Sequence, residues 1–228
     1  MKRLCILVSG KARGTNMAAI IEACQHHEIP DSEVVLVIGT RADAPALQRA
    51  QELGVPTCTI DPKAFPSDEA YGDALLKVLR EVQPDLICLA GYVRLLPANV
   101  VRAYRYRILN IHPALLPLFG GKGMYGLRVH EAVLQSGMKV TGCTVHFVDE
   151  QYDTGPIVLQ SVMEVRDDDT PETLAARLLP VEHATYVRAI RLFVEGRLKI
   201  EGNRVREIPL PKSESQNPMN QPAQNQQD

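Results

Sequence analysis

RILNIHPALLP (107–117) reads as an apolar strand that finishes on an amide and an imidazole. A strand turns alternate side chains to opposite faces and rises about 3.3 Å per residue. Asn110 and His112 therefore share one face, about 7 Å apart at their Cα atoms, while Ile111 points away. Pro113 holds His112 extended and sends the chain into a loop. Two polar groups side by side at a strand end make a site-like arrangement, and the flanking sequence decides what kind of sheet carries it.

Upstream, RLCILV (3–8), VVLVIG (34–39), PTCTI (56–60) and DLICLA (85–90) are apolar runs separated by helical patterns. Met17, Ile20, Ile21 and Cys24 make one helical stripe, and Tyr71, Leu75, Val78, Leu79 and Val82 another. Strand–helix alternation with near-continuous apolar strands implies an α/β parallel sheet covered on both faces. Ligands of such sheets bind beyond the carboxyl ends of the strands, where Asn110 and His112 lie.

The pattern then changes. KVTGCTVHFVDE (139–150) and PIVLQSVMEV (156–165), joined by the turn-rich QYDTG, suggest an antiparallel pair. A helical stretch follows over 171–196, with Pro180 as a candidate break. From Ser213 to the end, eight of sixteen residues are Gln or Asn, which predicts a disordered tail over 213–228.

The 228 residues suit one large domain or two small ones, and 45% hydrophobic residues supply an ample core. A net charge of −2 gives no overall bias toward nucleic acid or anionic membrane, so an anionic ligand must be held locally. The five cysteines are odd in number and lack any CxxC pair, which argues for buried thiols in a reducing compartment. The apolar stretch of MKRLCILVSG is too short for a signal peptide, and a cytoplasmic location is expected.

SGKARGTN (9–16), between the first strand and a helix, offers two glycines, two cations and an Asn or Thr cap at a helix N-terminus. That is a plausible anion cradle, although a ligand-free glycine turn explains the same residues. It matches neither G-x-G-x-x-G nor Walker A. His112 gains meaning from Asn110 on its face and Asp153 in the later loop. Together they supply an oxyanion donor, a titratable imidazole and a carboxylate expected to raise its pKa. A metal on His112, His146, His183 and Asp153 is the rival use, but no His pair has ligand spacing, so no metal is expected. Glu182 falls in the helical stripe of Leu178, Tyr186 and Ile190. Either it is buried and needs a donor, or Pro180 resets the helix and it faces water. AGYVRLLP (90–97) is either a loop tucked on the core or the edge of a pocket for a flat heterocycle.

In this order the pieces resemble the folate-dependent formyltransferases, over about residues 3–198, and most closely those acting on glycinamide ribonucleotide. NIHPALLP followed by HFVDEQYDTGPIVLQ carries the resemblance. It implies a Rossmann-like, mostly parallel sheet with helices on both faces and an antiparallel C-terminal strand extension. It implies one domain over 1–212, with a nucleotide-binding half at about 1–111 and a folate-binding, catalytic half at about 85–200. The cosubstrate would be 10-formyltetrahydrofolate, and the formyl acceptor the amino group of N1-(5-phospho-ribosyl)glycinamide. Asn110, His112 and Asp153 would be catalytic; Gly14, Thr15, Asn16 and Glu182 would meet the ribonucleotide. Val93, Arg94, Leu95 and Leu96, with Asn110, would bind folate.

Three features depart from the family pattern. The phosphate loop is longer by about two residues near Lys11 and Ala12. Asp68 stands where many relatives carry an Arg that meets the folate's glutamate tail. The segment 119–133, with four glycines, is a long candidate lid. A formyltetrahydrofolate hydrolase would be expected to carry an extra domain before the first strand, and a tRNA- or sugar-directed relative a further domain after about residue 198. A non-catalytic nucleotide-binding module would have no use for Asn110, His112 and Asp153 together.

Overall fold

The structure, a computed structural model, describes residues 1–10 and 12–209; Lys11 and the expected tail lie outside the described residues. Five strands form the first half: β1 (Lys2–Val8), β2 (Ser32–Gly39), β3 (Thr57–Thr59), β4 (Leu86–Leu89) and β5 (Ile108–His112). They pair in parallel in the order β3-β2-β1-β4-β5. Helices α1 (Thr15–Gln25), α2 (Pro45–Glu52), α3 (Asp68–Val82) and α4 (Ala98–Ala103) connect them.

The near-continuous apolar strands are explained by burial on both faces. Leu4, Ile6 and Val8 of β1 pack with residues of α1 and α2 such as Ile20 and Leu47, whereas Cys5 and Leu7 pack with Tyr71 and Leu75 of α3. The chain leaves β1 toward β2 and β3, then returns to β4 on the other side. This reversal opens a crevice at the carboxyl ends of β1 and β4. The loop after β1 and the loop after β4 meet there: the Ser9 N–H bonds the Gly91 carbonyl at 3.3 Å, and the Val93 N–H donates to Ser9 Oγ at 3.0 Å.

Beyond β5 the sheet turns antiparallel through β6 (Val140–Phe147) and β7 (Ile157–Glu164), as the hairpin pattern predicts. Among the described residues the sheet reaches nine strands. A second hairpin, β8 (Leu198–Glu201) and β9 (Arg204–Glu207), docks on β7 and was not foreseen; its turn at Gly202 (φ 62°) and Asn203 is the signal that marks it.

Helix α5 (Leu127–Gln135) occupies the second half of the expected 119–133 loop, so only 119–126 is loop. Helix α6 (Pro171–Val194) runs unbroken through Pro180. Proline removes the bond to the carbonyl four residues back. Pro180 and Ala176 both lie on the exposed face, where water can serve that carbonyl, so the helix tolerates the loss. Thr170 caps α6, its hydroxyl accepting from the Thr173 N–H while the Thr173 side chain returns the bond.

The buried Tyr186 of α6 ties the helix to the sheet. Its hydroxyl lies 2.8 Å from the Leu109 carbonyl, next to Asn110 in β5, and 3.1 Å from that of Leu89, the last residue of β4.

Candidate active site

Pairing of β5 with β6 sets Asn110 opposite His146 and His112 opposite Thr144. Asn110 Nδ2 lies 3.1 Å from His146 Nε2, and His146 is buried. In the sequence alone, His146 offers itself only as a possible metal ligand. The register that makes it Asn110's neighbour depends on long-range pairing, which local pattern does not contain.

His112 closes β5, 4% exposed. Its Nε2–H is held by the Phe119 carbonyl at 2.8 Å, and its Nδ1 lies 3.7 Å from Asp153 Oδ2. Asp153 also accepts from the Gly121 N–H at 2.8 Å and places Oδ1 3.5 Å from His146 Nε2. Phe119 (φ 54°) and Asp153 (φ 56°) both occupy the left-handed region, which is costly for residues with a Cβ and gathers at functional sites.

The expected pKa of His112 needs correction. Burial pushes the imidazole below its ordinary value; the Asp153 charge and the Phe119 carbonyl push it up but do not prevail, and His146 adds to the lowering. Burial also pushes the Asp153 carboxyl up, but hydrogen bonding, the Gly121 N–H included, and nearby charge together hold it below the usual range. At neutral pH the pair is a neutral imidazole beside a carboxylate.

A neutral His112 is lost as pH falls through its lowered pKa. Asp153→Asn removes a charge that raises that pKa, so the acidic limb of kcat/KM is expected to move to still lower pH. Superimposable wild-type and variant profiles would show that Asp153 does not tune His112.

The loop after β1 ends at Gly14, which caps α1 with φ 74° and no side-chain hydrogen bond. A Cβ at Gly14 would press on Ala46 and Met17 at 3.0 Å, so glycine is required by space as well as by φ. The expected Asn or Thr cap is therefore incorrect. Asn16 turns instead to Glu182, its Nδ2 donating to Oε2 at 2.9 Å.

Glu182 is buried, which decides between its two readings, because the unbroken α6 keeps it in the Leu178–Tyr186 stripe. Burial pushes its carboxyl up, with the Asn16 bond opposing. Asn16 Oδ1 is buried without a partner among the described residues.

One cavity of about 900 Å³ joins these groups. Gly14, Thr15, Asn16 and Glu182 line one part; Val93, Arg94, Leu95 and Leu96 line another; Asn110, His112 and Asp153 line it as well. Val93 and Leu95 are exposed at 44% and 39%, apolar surface that a ligand could cover. The Val93 N–H is taken by Ser9 Oγ and the Leu95 N–H by the Tyr152 hydroxyl, so neither of those two donors is left for a ligand. Asp68 pairs with Arg94 (3.2 Å), placing a carboxylate against a pocket-lining cation. His130 of α5 was not foreseen in the site. It is buried in the cavity wall with Nδ1 unpartnered among the described residues, and the apolar stripe of Val129 and Val133 hides it in the sequence.

A doubly covered sheet with amide, imidazole and carboxylate groups gathered over a cavity at its carboxyl edge is the architecture of an α/β enzyme. The chain belongs to the formyl transferase family, whose model matches residues 2–190. It is 45% identical over 200 residues to the chloroplastic phosphoribosylglycinamide formyltransferase of Arabidopsis thaliana, covering 87% of this chain and 67% of that one. The phosphoribosylglycinamide formyltransferase of Escherichia coli is 38% identical over 88% of this chain and 91% of its own length. The crystal structure of glycinamide ribonucleotide transformylase 1 from Symbiobacterium toebii superposes with a TM-score of 0.85 at 47% identity, covering 92% of this chain and 95% of that one. The family and fold read from NIHPALLP and HFVDEQYDTGPIVLQ therefore hold.

Proposed function

We propose that the chain transfers the formyl group of 10-formyltetrahydrofolate to the amino group of N1-(5-phospho-ribosyl)glycinamide, a step of de novo purine biosynthesis. The observation that carries this reading is the single cavity linking the α1 N-terminus and Glu182 to the 93–96 edge, with Asn110, His112 and Asp153 in its lining.

In this reading the uncapped N–H groups of Thr15 and Asn16, with Gly14, hold the phosphate. The longer loop, with exposed Arg13, adds charge there. Glu182 accepts from the ribonucleotide, and Val93, Arg94, Leu95 and Leu96 hold the folate. The amine attacks the formyl carbon. The carbonyl oxygen becomes an oxyanion that meets the Asn110 amide at once and His112 only after that imidazole has been protonated. The ammonium proton moves by way of His112, whose Nδ1 is the nitrogen left free by the Phe119 carbonyl. An imidazolium formed there gains the Asp153 charge. The C–N bond to N10 then breaks and N10 takes a proton. Asn110, His112 and Asp153 meet each charge that develops, so no metal is invoked.

Asp68, by neutralising Arg94, supports weak dependence on the folate's terminal carboxylates. One sheet running through both halves supports reading 1–212 as a single domain. Five free cysteines, four of them buried, support a reducing, cytoplasmic location. No helix among the described residues is long and apolar enough to cross a membrane. The small net charge supports small-molecule substrates as the partners, with neither nucleic acid nor membrane invoked.

The experiment is an absorbance trace of tetrahydrofolate formation with the ribonucleotide added halfway. An amine positioned near the formyl carbon gains a large effective concentration over water. Turnover is expected to be negligible before the addition and rapid after it. Formate released at full rate beforehand would replace the transferase with a hydrolase.

A further inference from the structure

His146 takes no part in the reaction as described, yet it is the side chain that meets Asn110. Its Nδ1 lies 2.8 Å from the Phe147 carbonyl. A carbonyl accepts only, so Nδ1 must carry a proton. Asn110 Nδ2, 3.1 Å from Nε2, can donate but not accept, so Nε2 is the bare nitrogen whose lone pair takes its hydrogen. With the amide turned over, Asn110 Oδ1 would face that lone pair, acceptor against acceptor. Asp153, ionised and 3.5 Å from the same nitrogen, cannot supply a hydrogen either.

We propose that His146 is a positioning residue: by accepting one amide hydrogen of Asn110 it fixes the orientation of that amide, so that the second Nδ2–H is the one presented to the developing oxyanion. This rests on the formyl-transfer reading above. Orientation matters because a preorganised donor stabilises the transition state without reorganising during reaction, whereas an amide free to turn over also offers the oxyanion its own oxygen. The strand register supplies the geometry: Asn110 and His146 are direct partners across β5 and β6, and His146 cannot turn away because it is buried.

Two measurements test it. In wild-type protein, nitrogen-15 spectra of the histidine rings, assigned with a His146→Gln variant, are expected to show Nδ1 protonated and Nε2 bare at His146. The opposite tautomer would overturn the proposal whatever any variant does. Second, a double-mutant cycle in the formyl-transfer assay separates positioning from general damage. His146→Leu is expected to lower kcat by about tenfold or more with both KM values little changed. In an Asn110→Ala background the same substitution should change kcat by less than about twofold, because the group it orients is gone. His146→Gln keeps an acceptor and a donor and should recover most of the lost rate. Equal losses in both backgrounds, wild-type kcat in His146→Leu, or a folded Gln variant no better than Leu would each overturn it. If His146→Leu fails to fold, judged by melting temperature, the cycle runs with His146→Met. An inactive wild type would remove the proposed function instead, leaving the tautomer measurement to decide His146.

Discussion

Asn110→Ala is expected to lower kcat by about 10²–10³ with little change in either KM, the loss found when one oxyanion donor is removed. His112→Ala should go further and abolish measurable turnover while ribonucleotide and folate affinities stay nearly normal. The two side chains share a strand face at the carboxyl edge of β5, and both line the cavity. Asn110 would act only when the formyl oxygen carries charge, so its contribution belongs to the transition state and appears in kcat and kcat/KM equally. His112 would serve both the oxyanion and the proton, so no single remaining group covers its loss. Neither substitution should unfold the chain, because β5 is held by β4, β6 and the Tyr186 hydroxyl on the Leu109 carbonyl. Steady-state kinetics with both substrates varied, alongside melting temperatures, checks this. Near-normal kcat in either folded variant would remove the mechanism.

These two residues were also the most legible part of the site. Asn110 and His112 are two apart on a strand, and period-two alternation places them together without tertiary information. The parallel half of the sheet was legible for a similar reason: a strand buried on both faces must be apolar throughout, and RLCILV and DLICLA are. Glu182 was half legible. The helical stripe points it inward, but a proline two residues earlier leaves the phase open until the helix is seen to continue. His146 and His130 were illegible as site residues, one because strand register is a long-range property and the other because its helix presents an ordinary apolar face. The sign at His112 was missed because sequence supplies the charges around an imidazole but not the depth of its burial, and here burial outweighs the carboxylate.

Gly155→Ala is expected to be among the most destabilising single substitutions in the chain and to damage catalysis as well. A Cβ at this position would fall far inside contact distance of the Phe147 carbonyl oxygen, which is backbone and cannot swing aside as a flexible side chain could. The restriction is one of space, since Gly155 is not among the residues with positive φ. Its neighbour Pro156 accepts the Phe147 N–H at 2.9 Å, and the β6–β7 register already shifts between Val145 and His146. Room for a methyl can come only by prying these strands apart beside that irregularity. Overpacking costs about 1–3 kcal/mol, and backbone displacement puts this case at the upper end. At about 2–4 °C per kcal/mol for a domain of this size, the melting temperature should fall by about 5–10 °C. Asp153 lies two residues upstream and His146 on the strand being displaced, so the strain reaches the site directly. A shift of about 1 Å in a positioned group can cost about 10²-fold in rate, and kcat of the folded variant should fall accordingly. Thr154→Ala is the control: its hydroxyl bonds the Asp149 carboxylate on the exposed side of the same turn, so little of either effect is expected. Gly155→Ala with wild-type melting temperature and kcat would show that the turn between β6 and β7 yields freely, and that Asp153 is held by something other than this close approach of two backbones.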